Sequence, residues 1–137
     1  MRKRIALLCA LLSVCLLAGC GVAQILNEGD TLRLYYPTVL SQAQGADAIG
    51  SVNLSRDKLP AEDKQAQAEE ILALLMGKCE DEAFRSPIPS GTVLQSCEIR
   101  GSTVYVDFSA AYGQLSGMDL TLADYCVTLS LTQIPGI

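Results

Sequence analysis

Three carboxylates and four tyrosines are the side chains here whose types suit chemistry on a glycan. Asp107 lies in an alternating stretch, Thr103 to Ser109, and Asp119 and Asp124 fall near the start of a helical pattern. Two carboxyl groups at a suitable separation can cleave a glycosidic bond, one as acid and the other as base or nucleophile. Each of the three also has a plainer use, Asp107 at a strand end and the others in capping a helix start. Tyr35, Tyr36, Tyr105 and Tyr112 could stack on sugar rings, but alternating tyrosines are ordinary sheet residues. The 137 residues include no His. The commonest general base is thus absent, and no Ser–His or Cys–His nucleophile can be built. No glycine-rich phosphate loop or metal cluster is visible, so no cofactor is expected. The expectation is a non-catalytic domain, not an enzyme.

Cys20 differs, because its setting specifies a reaction. Met1-Arg2-Lys3-Arg4 is a compact positive cluster, and Ile5 to Ala18 carries no charge. A basic start followed by a short apolar run is the layout of a secretory signal. The apolar run is shorter than the roughly 20 residues of a spanning helix. It ends in Leu17-Ala18-Gly19-Cys20, which resembles the bacterial lipobox. There the thiol receives a diacylglyceryl group, and cleavage leaves the cysteine as the new N-terminus. Small residues before it let the peptidase grip the bond. The competing reading is an uncleaved anchor, with the apolar run extended to Ala23. Residues 1–19 are therefore expected to be a lipoprotein signal peptide and Cys20 the lipidation site. Two or more acyl chains hold firmly, at about 0.8 kcal/mol per buried CH₂. The expected location is the cell membrane, lipid-anchored on its extracytoplasmic face.

The remaining cysteines are Cys79, Cys97 and Cys126, since Cys9 and Cys15 leave with the signal. An odd number allows one disulfide and a free thiol in an exported protein. Small buried hydrophobes are the plainer reading. Three thiols without His or a Cys-x-x-Cys pair make a weak metal site.

The signal contains three of the ten basic residues and none of the fifteen acidic ones, which leaves a formal charge of −8. Such a chain repels phosphate backbones and anionic headgroups. No nucleic-acid partner is expected, and membrane contact should come from the lipid.

These residues must be held by one domain. Residues 20–30 read as a lipidated tether and 31–137 as a domain large enough for a real core. Leu32, Leu34 and Tyr36 alternate with Arg33 and Tyr35, which predicts a half-buried strand ended by Pro37. Val52 and Leu54 mark a second strand beyond a glycine-containing loop. Helical spacing begins near Pro60, with Glu62 and Asp63 in its first turn. Ala68, Ile71, Leu72 and Leu75 form its apolar stripe, and Gly77 stops it. Gln65 to Glu70 reads as the solvated side. Strands over Val93–Ile99 and Thr103–Ser109 flank Gly101-Ser102, a two-residue hairpin turn. A second helix runs from about Met118 through Leu120, Ala123, Val127, Leu131 and Ile134 to Pro135-Gly136. Ser116 with Asp119, or Thr121 with Asp124, would cap it. The expected fold is α+β, a small sheet in β-β-α-β-β-α order with two helices on one face.

Several stretches, taken in order, resemble a known family. They are Leu32 to Pro37, Glu69 to Gly77, Ile88 to Leu94, Thr103 to Ser109, and Thr128 to Pro135. The family is the GerMN domain of sporulation and spore germination proteins, and the resemblance spans residues 31–137. It implies a cell-envelope protein, frequently a lipoprotein, of spore-forming and related bacteria. It also implies similarity to ring-building modules of spore envelopes. Family members usually continue past the proline into a further strand, so the expectation is that either the last family strand is missing or the domain is C-terminally truncated at Ile137. The expected function is a structural or assembly role in sporulation or germination. Partners would be the membrane, a second copy or an envelope protein. The alternative is a binding module for peptidoglycan or a protein partner.

Overall fold

The computed structural model describes residues 31–39, 47–60 and 62–137. The expected signal peptide, Cys20 and the expected tether lie outside the described residues, as does part of the loop after β1.

The first strand, β1 (Thr31–Pro37), pairs antiparallel with β2 (Ile49–Ser55), setting Leu32 against Leu54 and Leu34 against Val52. Leu32, Leu34 and Tyr36 are buried, as the two-residue period requires. Tyr36 faces Gly50, and the Phe84 ring lies over that glycine where any Cβ would collide with it. Tyr36 and Phe84 stack with centroids 6.2 Å apart.

Helix α1 spans Lys64–Met76. It starts later than the Pro60 signal suggested, because Asp63 is its N-cap. The Asp63 carboxylate accepts from the backbone N–H of Gln65 at 2.9 Å and of Ala66 at 3.2 Å. Ala68, Ile71, Leu72 and Leu75 form its buried stripe. The second hairpin pairs β3 (Leu94–Arg100) with β4 (Thr103–Phe108) through the predicted Gly101-Ser102 turn. Gly101 has φ of +65°, as a turn with glycine first requires, and no non-glycine residue is positive among the described residues. Helix α2 spans Gly117–Leu131, and Ile134 is buried just beyond it. No strand follows it among the described residues.

The α+β class and the β-β-α-β-β-α order are as expected. The four strands form two antiparallel pairs rather than one sheet. What joins them is a shared core of β1, α1, Cys97, Leu131 and Ile134, together with side chains that seal strand edges.

The outer edge of β1 is sealed along its length. Arg33 N–H donates to Gln133 Oε1 at 2.8 Å, and Gln133 Nε2 donates to the Arg33 carbonyl at 2.6 Å. Tyr35 N–H donates to Ser130 Oγ at 3.0 Å. Further on, the 83–85 segment takes over: Arg85 N–H donates to the Pro37 carbonyl, and Val39 N–H to that of Ala83. The glutamine amide thus plays the part of a neighbouring strand's peptide group. Gln65 does the same on β3, donating to the Cys97 carbonyl and accepting from Ile99 N–H. The reading of Gln65 to Glu70 as wholly solvated is corrected here: Gln65 and Gln67 are half-buried and Ala68 fully so.

Candidate interaction surface

The structure gives two of the three candidate carboxylates a partner. Arg85 donates to Asp119 at 2.6 Å in a largely exposed ion pair. Tyr112 Oη donates to Asp124 Oδ1 at 2.7 Å, and the Tyr112 ring stacks on Phe108 with centroids 4.7 Å apart. Burial, the hydrogen bond and the Asp124 charge all push the Tyr112 hydroxyl pKa up. Asp107 is exposed on β4 opposite Ser96 and faces away from Phe108 and its stack. Neither expected capping pair forms: Ser116 makes no side-chain cap, and Thr121 Oγ1 donates to the Gly117 carbonyl instead. Asp119 and Asp124 are engaged instead by Arg85 and Tyr112.

The tyrosines do not share a platform. Tyr36 is buried and Tyr112 half-buried, each stacked on a phenylalanine. Tyr105 is exposed on β4, with the Arg100 guanidinium 4.9 Å from its ring centre.

Cys79, Cys97 and Cys126 are all free thiols, and the disulfide alternative is not realised. Cys97 and Cys126 are buried and Cys79 half-buried. Burial pushes the Cys126 pKa up to about 12, against the opposing pull of Arg85. The Cys97 pKa is also raised, by burial and then by Glu69. Both therefore stay protonated, the opposite of a nucleophile's requirement. Among the described residues no group of three or more His, Cys, Asp and Glu could hold a metal ion.

The described surface includes two hollows of note. One, of about 500 Å³, lies past the C-terminal end of α1 beside Met76, Cys79, Phe84 and Ile88. The other, of about 410 Å³, runs between β4 and α2, lined by Val104, Val106, Val127, Thr128, Leu131 and Ile137. The second adjoins the most unusual surface of the domain, the outer face of α2.

That helix buries Leu122, Ala123, Cys126, Ser130 and Leu131, yet it exposes Met118 by 62%, Tyr125 by 58% and Leu129 by 37%. Its two charges are Asp119 and Asp124, both engaged as described. Threonine hydroxyls are turned inward: Thr121 donates to Gly117 O at 3.1 Å and Thr132 to Thr128 O at 2.9 Å. With these two hydroxyls satisfied by their own helix, this face offers mainly methyl groups and apolar side chains. Sequence reasoning followed the Leu120–Ile134 stripe and missed Tyr125 and Leu129. Their signal was a second apolar stripe on the same helix, where one stripe suffices for a core.

A family model, Germane, described as sporulation and spore germination, matches residues 33–137. No curated protein and no solved structure matches the chain. The matched span runs from within β1 through the whole of α2, which bears out the GerMN-like resemblance. With well over half of its length so matched, the chain belongs to the Germane family of sporulation and spore germination.

Proposed function

We propose that this chain is a lipid-anchored cell-envelope protein whose non-catalytic domain serves structural assembly in sporulation or spore germination. The carrying observation is Germane family membership in a chain whose domain follows a basic start, an apolar run and a lipobox-like Cys20. The engaged state of Asp119 and Asp124 and the buried thiols favour docking over catalysis. No described helix is long and apolar enough to cross a membrane. In this reading attachment rests on lipid at Cys20, and the domain works on the extracytoplasmic face.

The test is a full-length fluorescent fusion followed through growth and spore formation, with a Cys20→Ala version beside it. Signal gathering at the forespore envelope after sporulation begins, and lost with Cys20→Ala, is the expected result. A uniform signal around growing cells, indifferent to sporulation, would remove the spore-specific role. Metabolic labelling with an alkyne fatty acid reads the anchor directly: wild type takes the label and Cys20→Ala does not. The peptidoglycan-binding alternative no longer has a four-tyrosine platform, because Tyr36 is buried.

A further inference from the structure

The exposed stripe of α2 has a regular spacing. Met118, Leu122, Tyr125 and Leu129 are separated by four, three and four positions, the repeat that places side chains along one helix–helix seam. Of the four, Leu122 is already buried and the other three face water. The spacing is also symmetric about the point between Ala123 and Asp124. When a second α2 is laid antiparallel across that point, Met118 meets Leu129 of the other copy and Leu122 meets its Tyr125. Met118 and Leu129 then find exposed apolar partners in the other copy, and Tyr125 closes over the helix surface at buried Leu122, with a single two-fold operation.

Charge selects the same occupant. The chain without its signal carries a formal charge of −8, so two copies repel over most of their surfaces. On the outer face of α2 the stripe is flanked by Thr121, Thr128 and Thr132 rather than by carboxylates. Asp119 is neutralised by Arg85, and Asp124 is held by Tyr112. This is a charge-poor place on an acidic domain, where like molecules can meet without stacking carboxylate on carboxylate.

We propose that α2 is a self-pairing surface, joining two copies of this chain through an antiparallel Met118–Leu122–Tyr125–Leu129 seam. This deepens the docking reading above, on which it rests, by naming the partner. One helix pair buries less than the roughly 1,600 Å² of a standard interface, so the pairing is weak in dilute solution. Copies held on one membrane meet at a much higher effective concentration.

The test uses the full chain in its own membrane, with a photoreactive phenylalanine analogue at Leu129 and, as control, at Glu70 on the exposed side of α1. The expected result is a crosslinked species of twice the chain mass from Leu129 only, with the adduct mapped to the region of Met118. Leu129→Glu, tested with the probe at Tyr125, should cut the dimer yield at least tenfold. The double variant Met118→Lys with Leu129→Glu brings opposite charges into register between copies and should restore it. All these positions are exposed, and unchanged circular-dichroism melts would establish that each variant folds. Adducts to lipid or to a different protein, no adduct at all, or failure of the double variant to rescue would each overturn the pairing. Adducts to a different protein would leave the docking reading standing, whereas adducts to lipid alone would count against both.

Discussion

Tyr36 and Cys126 both lie in the core, and burial raises their pKa values from 10.0 and 9.0 to about 12 in each case. Both groups are neutral when protonated, and their folded values exceed the unfolded ones. The stability they contribute is therefore complete below about pH 9 and is lost as the pH rises toward 12. Urea denaturation at intervals from pH 7 to pH 12 should show this loss, each group adding up to about 1.4 kcal/mol per pH unit. Cys126→Ala should flatten part of it. Exposure orders the thiols as well: iodoacetamide on the native protein at pH 8 should label half-buried Cys79 before Cys97 or Cys126, read by mass spectrometry. Asp107 is the one of the three candidate carboxylates without a partner among the described residues, so Asp107→Asn should leave the unfolding free energy from urea denaturation within about 0.5 kcal/mol of wild type.

At the scale of elements, the two glutamines do work that a third strand would do elsewhere. Gln133→Ala removes both partners of Arg33's peptide group, and should cost about 1–3 kcal/mol in urea denaturation. Gln133→Glu keeps an acceptor for Arg33 N–H but sets a carboxylate against the Arg33 and Leu129 carbonyls, and should cost at least as much. Asp63→Ala at the α1 N-cap should cost about 1 kcal/mol. The strands and helices themselves were legible, because burial repeats with their geometry: Leu32, Leu34 and Tyr36 every second residue, Ala68, Ile71, Leu72 and Leu75 at helical spacing. The division into two hairpins was not. It depends on which edges are closed by side chains, and a glutamine that imitates a peptide group carries no periodic mark. The same limit hid the partners of Asp119 and Asp124. A carboxylate beside a helix start reads as a cap until Arg85 or Tyr112 arrives from elsewhere in the chain. The α2 seam was legible in principle, since its second apolar stripe is written in the same helix.

For the whole molecule, acidity and apolar surface are kept apart. The −8 charge of residues 20–137 favours solubility and resists anionic surfaces, while α2 presents a face that water does not reward. If lipid at Cys20 is the attachment, a Cys20→Ala chain should appear in the soluble fraction on cell fractionation and show no affinity for anionic vesicles. The closure of β1 carries one more consequence. Its edge is completed by Ser130 and Gln133, residues 95 and 100 positions further along the chain. The first strand therefore cannot finish its hydrogen bonding until almost all of the matched domain is available to it. On the export route proposed above, through a channel that admits only an unfolded chain, β1 could pair with β2 but its outer edge would have no partner until residues 130–133 had followed. Closure of the β1 edge is thus a late event in folding, because it waits on contacts of high sequence separation.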